Sequence, residues 1–244
     1  MKETLIVEFG VEKTIQRDYG YEEKHLTFKG ESTPYKAILK DGKLVAIVSK
    51  RYKLIENEKV IEVCKKIKDN FGFKYINVID NFPRVHIHMT QESGDGVIVH
   101  NSVDGSFALR VDLSVRVQNN GYTIVRTNEI REMYRKHIGD VTLETLPTII
   151  GKVLEFKDSI KSAIQELEKY TISQHKELLE DLEKVLPKKY IRTVIVASKT
   201  RPMTLRELYE ITAQKIWNAK IDMKRKIRLF EQLNKLILLP IVLR

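Results

Sequence analysis

The hydrophobic positions of residues 97–125 alternate with polar ones, and turn residues divide the stretch. Val111, Leu113 and Val115 fall on one side of a strand, because side chains along a strand repeat every two residues. The other side would carry a polar, partly basic lane, made of Arg110, Asp112, Ser114, Arg116 and Gln118. The pattern predicts two antiparallel strands with one buried face.

Further sheet signals lie closer to the N-terminus. Two hydrophobic runs, 35–39 and 44–48, flank Asp41-Gly42, which suits a type I′ hairpin turn, and the second strand is expected to continue to residue 55. Residues 11–34 are polar and interrupted by Gly and Pro, which predicts an irregular segment. The spacing over 58–71 predicts a helix with Cys64 in the core, and runs at 73–78 and 84–89 predict more strands.

The spacing of hydrophobic residues changes to three and four from residue 142, which predicts helices. The seam over 149–185 fits an αα-hairpin or one long helix, whereas the run 190–196 is typical of a strand. Thr204 and Glu207 form a capping box that opens a helical stretch reaching about residue 239, continuous or bent near 218–222. We therefore predict an α+β fold: an antiparallel-sheet domain with packed helices over 1–140, and a basic, mainly helical region over 141–244.

Positive charge is concentrated at the C-terminal end of the chain. The net charge is +10, but residues 184–244 sum to +11 and residues 1–183 to −1. A basic patch at one end attracts polyanions, most often nucleic acid. The alternative is a solvated lysine-rich surface, which is common in proteins from hot environments. A helix beginning at Asp222 would place several cations against its positive dipole, so an anion would be expected there.

Aromatic residues lie among the basic ones at two places, which suits single-stranded nucleic acid because aromatic rings stack on bases and cations neutralise phosphates. The alternative is that the tyrosines are packing residues. The candidate nucleic-acid contacts are Lys50, Arg51, Tyr52, Arg110, Arg116, Arg126, Arg131, Arg135, Lys224, Arg225 and Arg228. We expect DNA as the partner, single-stranded rather than double-stranded.

A metal-dependent hydrolase or nuclease is the enzymatic alternative. His86 and His88 would share one face of a strand, and His100 lies across a turn, so the three imidazoles could hold a divalent metal. These histidines could equally lie on a solvated or half-buried sheet face without a ligand. The sequence contains no phosphate-binding glycine motif, no G-x-S-x-G elbow and one cysteine, so the residues favour a protein without catalytic activity or cofactor.

The remaining expectations concern location and assembly. No run approaches the roughly 20 apolar residues of a membrane span, and the first residues lack the hydrophobic core of a signal peptide, so we expect a cytoplasmic protein without membrane contact. The apolar tail, 236–243, must dock on this chain or on a partner. A homo-oligomer of the annealing type is expected, and a purely structural oligomeric protein, assembled through the helical seam and this tail, is a third hypothesis.

Several motifs resemble the phage- and plasmid-borne family known as domain of unknown function 932. The segment 45–61 is similar to the family's strand, tyrosine and Asn-Glu helix start. The other matching positions are Asn101-Ser102, Asp104-Gly105-Ser106, Arg116, Asn120-Gly121 and Thr204-Leu205 with Leu208-Tyr209. The resemblance implies a protein of a virus, plasmid or other mobile element, with a role in DNA replication or recombination. The order of hairpin, helix, further strands and long helices is also similar, at the level of the fold, to single-strand annealing proteins of phages, which form oligomeric rings on DNA. The resemblance leaves open whether Asn101, Asp104 and Arg116 form a site or brace turns.

Overall fold

The computed structural model describes residues 9–118, 120–134, 139–174 and 176–242. Two antiparallel sheets precede a mostly helical region, with 46% helix and 29% strand, so the predicted α+β class is confirmed. The chain forms two compact units. The first comprises the described residues up to Lys66 with 78–87 and 100–109, and the second comprises 67–77, 88–99 and the described residues from Arg110 onward. The division of the sequence at residue 140 stays a prediction.

The first sheet contains four strands in sequence order, each antiparallel to the next. They are β1 (Gly10–Gln16), β2 (Tyr21–Phe28), β3 (Glu31–Lys40) and β4 (Lys43–Ser49). The predicted hairpin is confirmed, since Asp41 and Gly42 have φ of 48° and 75° between β3 and β4. Strand β4 ends before residue 55 because Tyr52 N–H donates to the Ser49 carbonyl (2.9 Å) and turns the chain.

The prediction of an irregular segment over 11–34 is wrong, because β1, β2 and the start of β3 occupy it. A buried ion pair conceals the strand pattern in the sequence. Glu23 is 1% exposed and accepts from Arg17 Nε (2.6 Å) and from Lys36, which is itself buried. Because charged residues take interior positions here, the alternation of polar and apolar residues that marks a strand is lost.

Helix α1 (Asn57–Ile67) carries Cys64 into the interior, as predicted. Its thiol is 0% exposed, and burial raises its pKa to about 12, so it is protonated and unreactive at neutral pH. The hydrophobic cluster in this unit consists of Tyr21, Ile38, Leu54 and Val103.

The second sheet also follows sequence order: β5 (Tyr75–Asn81), β6 (Arg84–Thr90), β7 (Gly96–Ser102), β8 (Arg110–Arg116) and β9 (Tyr122–Val125). The predicted strands around 97–125 are confirmed, but the expected solvent-facing lane is not. Asp112 and Ser114 are 0% exposed. Strand β8 contacts α2 (Thr127–Tyr134), α3 (Leu146–Leu154) and α4 (Lys157–Glu166), so both of its sides are enclosed.

The C-terminal helices are α5 (Lys176–Val185), α6 (Lys188–Thr200), α7 (Leu205–Asn218), α8 (Met223–Ile237) and α9 (Leu239–Val242). The predicted seam over 149–185 is divided into α3, α4 and α5, so neither a long helix nor a simple αα-hairpin is correct. The strand predicted at 190–196 is wrong, because this run lies within α6. Its buried residues Tyr190, Ile191 and Val194 have helical spacing, and packing overrides the weak strand preference of its β-branched residues.

The predicted capping box of α7 is confirmed. The Thr204 hydroxyl accepts from Glu207 N–H, and the Glu207 carboxylate accepts from Thr204 N–H, both at 3.2 Å. Of the two alternatives for residues 204–239, the bent one is correct, since α8 begins after Asp222. The apolar tail, as far as residue 242, packs on its own chain, where α9 contacts α4 and α8. Within the described ranges, no helix has the length and apolarity to cross a membrane.

Candidate nucleic-acid interface

Two partly exposed aromatic rings meet where β9 contacts α7. Gly121 lets them approach, because a Cβ at this position would lie 2.8 Å from the Cα of Gln214. The adjacent Tyr122 ring is thereby placed 4.8 Å from the Trp217 ring, at an interplanar angle of 56°. The His88 ring packs edge-on against both, at 4.8 and 5.2 Å. The result is a packed aromatic cluster in which the side chains of Tyr122 and Trp217 remain partly exposed.

A lysine from α8 lies over this cluster. Lys226 Nζ is 5.4 Å from the centre of the Trp217 ring and also donates to the Trp217 backbone carbonyl. Burial lowers the pKa of this ammonium group. A cation beside an aromatic face combines attraction for phosphate with a surface on which a base can stack.

The first turns of α8 are basic. Lys224, Arg225, Lys226 and Arg228 lie there, and the first turn holds no acidic residue. Asp222 caps the helix by accepting from Arg225 N–H at 2.9 Å, so α8 begins where the bent alternative places a helix start. Arg225 and Arg228 are exposed. The predicted anion near these cations stays a prediction, supported by the helix dipole and by the exposed charges of Arg225 and Arg228.

The candidates of the first unit, Lys50, Arg51 and Tyr52, have different surroundings. Lys50 Nζ donates to Glu12 (3.1 Å) and Ser32 (2.6 Å), while Arg51 is exposed. The Tyr52 hydroxyl donates to the Ser102 carbonyl (2.8 Å), its ring packs on the hydrophobic cluster, and burial raises its pKa to about 12. Tyr52 therefore has the contacts of a packing residue.

Most candidate arginines between residues 110 and 135 are held by partners within the second unit. Arg110 pairs with Asp112 (3.0 Å), Arg126 pairs with Glu231 (2.7 Å), and Arg131 donates to the Gly139 carbonyl. The remaining two differ: Arg116 is exposed and donates to Asn120 (2.7 Å), and Arg135 lies outside the described residues. These partners leave Arg116 as the member of this set most open to a ligand.

Two buried carboxyl groups accompany these arginines, and sequence reasoning missed their burial. Glu129 is 6% exposed and Asp112 is 0% exposed. Burial raises the pKa of Glu129 to about 8, and the nearby negative charges of Asp112 and Glu231 act in the same direction. Glu129 accepts from Arg126 N–H (2.7 Å). Glu129 lies three residues after Arg126, where a helix begins, and this spacing places its carboxylate beside the backbone N–H groups of the helix start. The spacing was the signal in the sequence.

The three histidines proposed as metal ligands are buried, contrary to a solvated or half-buried sheet face. His86 Nδ1 and His100 Nδ1 are 2.7 Å apart and share one hydrogen, with Phe107 packed against both rings. His88 Nε2 lies 3.0 Å from Ser114 Oγ. Within the described ranges, no group of three or more His, Cys, Asp or Glu side chains is arranged to hold a metal. A metal at His86, His88 and His100 stays a prediction without support from the geometry.

Two of the residues that resemble domain of unknown function 932 stabilise loops through hydrogen bonds. Asn101 donates to the Ile55 carbonyl (2.8 Å) and to Asn57 Oδ1 (2.9 Å), and Asp104 accepts from Ser106 N–H (2.9 Å). Such local contacts explain Asp and Asn at these positions without a ligand.

Comparison with known proteins adds no relative: no family model, no curated protein and no solved structure matches the chain. The resemblance to domain of unknown function 932 therefore stays a prediction. Sequence reasoning overlooked Trp217, although a signal was present. Trp217 lies next to the apolar stripe of α7 rather than on it, and a tryptophan there has to pack against another element or face solvent.

Proposed function

We propose that this protein binds single-stranded nucleic acid, in the first instance DNA, through an aromatic–basic surface made of Tyr122, Trp217, Arg225, Lys226 and Arg228. The observation that carries the proposal is the partly exposed pair of Tyr122 and Trp217 rings with Lys226 above it. The exposed cations at the start of α8 supply positive charge on the same helix as Lys226.

This combination favours single strands for a physical reason. Unpaired bases can stack on an aromatic side chain, which contributes about 1–3 kcal/mol per base with little dependence on sequence. The bases of a duplex are already stacked and paired, so a duplex would gain only the phosphate contacts. The proposed partner is therefore a flexible strand.

The charge of the chain supports the same partner. Residues 184–244 carry a net charge of +11, and α8 with its aromatic neighbour Trp217 lies in this segment. Such a field raises the local concentration of a polyanion and accelerates its association.

The resemblance to domain of unknown function 932 extends the proposal to biology. It adds that the protein belongs to a mobile element and acts in replication or recombination. An annealing homo-oligomer follows from the likeness to phage annealing proteins, and a cytoplasmic location follows from the sequence, whereas strand binding rests on the aromatic–basic surface.

The first test is the fluorescence anisotropy of labelled single- and double-stranded DNA, at about 50 and 200 mM salt. Trp217 is the sole tryptophan, so its intrinsic fluorescence reports directly on the proposed surface. We expect single strands to bind more tightly, to quench Trp217, and to lose affinity steeply with salt.

Replacing the ring separates stacking from charge. Trp217→Leu should weaken single-strand binding by at least about fivefold, the lower end of one lost stacking contact. Tyr75→Leu is the matched control, because Tyr75 is a 65% exposed aromatic outside the surface and its loss should leave affinity unchanged. Equal losses in both variants, or absent binding at low salt, would overturn the proposal.

A further inference from the structure

A cavity of about 580 Å³, widely open to solvent, lies beside α6, α7 and the segment after α7. Nothing in the proposed stacking surface uses it. Its lining includes Lys189, Tyr190, Gln214, Lys215, Asn218 and Lys220. The lining is thus rich in hydrogen-bond donors, three of them cationic, and contains no acidic side chain.

The positive charge of this cavity is not balanced by ion pairs. Lys189 Nζ lies 5.0 Å from the centre of the Tyr190 ring, and Lys215 Nζ donates to the Thr193 hydroxyl. In the part of the chain that the structure describes, Lys189, Lys215 and Lys220 form no salt bridge. Three lysines around one cavity repel each other, and an anion inside it would remove that repulsion.

An independent observation comes from Tyr190. The residue is 3% exposed, and its hydroxyl has no hydrogen-bond partner among the described residues. A buried hydroxyl without a partner is costly and uncommon in native proteins. The hydroxyl is closed to solvent, so an oxygen-bearing ligand in the cavity that Tyr190 lines would supply the missing partner once the side chains around the hydroxyl shift.

We propose that this cavity binds the phosphoryl group of a nucleotide, a proposal that rests on the proposed function and specifies part of its ligand. Lysine binds phosphate as a compact point charge, and the tyrosine hydroxyl and the amide of Asn218 supply uncharged donors for further oxygens. The volume exceeds that of a phosphate and leaves room for the attached sugar or base. The phosphoryl group comes either from the 5′ end of a strand or from a free nucleotide.

Two ligand pairs distinguish the sources. The first is one oligonucleotide with its dye at the 3′ end, bearing either a 5′-phosphate or a 5′-hydroxyl, followed by anisotropy. The second is adenosine 5′-monophosphate against adenosine, followed by calorimetry. The phosphorylated member of at least one pair should bind about tenfold more tightly, as expected for one contact between charged groups. Equal affinities within both pairs would overturn the inference.

Lysine variants locate the preference in the cavity. The double variant Lys189→Ala with Lys215→Ala should abolish the preference for the phosphorylated ligand. Lys199→Ala with Lys235→Ala is the matched control, because it removes two exposed lysines of α6 and α8 that do not line the cavity. This control should keep the preference. Loss of the preference in both variants, or in neither, would overturn the inference.

Tyr190→Phe tests the buried hydroxyl itself. The variant should fold with an unchanged or raised Tm, because it deletes a polar atom that lacks a partner, and it should bind the phosphorylated ligand several-fold more weakly. A lowered Tm with an unchanged preference would refute the role of Tyr190. If 5′-hydroxyl strands still quench Trp217 while no phosphate preference exists, the inference fails and strand binding stands. If strands do not bind but adenosine monophosphate binds more tightly than adenosine, the proposed strand binding fails and the phosphoryl site stands.

Discussion

At the scale of single residues, the most informative group is a carboxyl buried without a full set of partners. One oxygen of Glu129 accepts from Arg126 N–H, and the nearby Asn234 side chain also favours the ionised form, but the other oxygen has no well-aligned partner among the described residues. Ionising such a group requires removing a charge from water, which is why burial raises its pKa to about 8. At neutral pH Glu129 therefore carries its proton, which offers a hydrogen-bond donor among acidic and basic neighbours.

The raised pKa of Glu129 predicts that the protein is less stable in mild alkali than in mild acid. In the unfolded chain the carboxyl titrates at its ordinary pKa of about 4.3, so between pH about 5 and 8 only the folded state holds this proton. The free energy of unfolding should fall as pH rises through that window and level off above the folded pKa. The total decrease is on the order of a few kcal/mol, at about 1.4 kcal/mol per pKa unit.

Urea unfolding of the parent and of Glu129→Gln at several pH values checks this dependence. The glutamine keeps the size of the side chain and cannot ionise, so the decline should be flatter in the variant. Glu132→Gln is the control, because Glu132 is an exposed acid on the same helix and its variant should follow the parent. Parallel curves for parent and Glu129→Gln would show that Glu129 is ionised throughout.

At the scale of elements, helix α8 combines two opposed requirements. A helix N-terminus carries a partial positive charge, yet α8 places Lys224, Arg225 and Lys226 there, with the Asp222 cap as the acidic residue at that end. Cations at a helix N-terminus lower the stability of the protein unless an anion is bound. We expect this arrangement in a helix that binds a ligand, not in one that only stabilises the fold.

Arg225→Glu tests this conflict because it should raise stability and weaken single-strand binding. A glutamate three residues after Asp222 would complete a capping box and favour the dipole, raising the free energy of unfolding by about 0.3–1 kcal/mol. The same change should weaken single-strand binding, since it replaces a phosphate contact by a repulsive charge. Urea unfolding and anisotropy on the same samples measure both effects.

Lys235→Glu is the matched control for this reversal, because Lys235 is an exposed cation in the last turn of α8. There the dipole favours the lysine, so the control should lose a little stability and keep most of its affinity. A variant Arg225→Glu that is destabilised, or that binds strands as well as the parent, would contradict the assignment of α8 as a binding element.

The elements that sequence predicted correctly are those fixed by local chemistry. Asp41-Gly42 determines a tight turn, and Thr204 with Glu207 determines a helix start, whatever surrounds them. The errors occur where distant contacts decide. The pairing of Glu23 with Lys36 hides β2 within a polar segment, and the packing of α6 on its neighbours makes a helix of residues with strand preference.

The features of the candidate site also separate into those that are local in the sequence and those that depend on distant contacts. The sequence alone located the basic C-terminal end and the cations at the start of α8. It could not tell which cations are neutralised, because the partners are far apart in sequence: Lys50 reaches Glu12 and Arg126 reaches Glu231. The closeness of Tyr122 and Trp217 depends on the contact between β9 and α7 and has no local signature.

At the scale of the whole molecule, the question is which cations act on a polyanion. Binding releases counterions in proportion to the number of phosphates neutralised, so the salt dependence of affinity counts effective cations. Lys50 is paired with Glu12, whereas Arg225 and Arg228 are exposed and form no salt bridge in the described ranges of the chain. Equal numbers of charges should therefore contribute unequally.

Two double variants compare these contributions directly. Arg225→Ala with Arg228→Ala should reduce the slope of log affinity against log salt by up to about 1.4, which is about 0.7 per phosphate contact on a single strand. Lys50→Ala with Arg51→Ala removes the same formal charge and should change the slope by less than half of that. If both variants changed it equally, affinity would follow net charge alone, and the aromatic–basic surface would lose its special role. An unequal change would assign the phosphate contacts to the start of α8, on the helix whose Lys226 lies over Trp217.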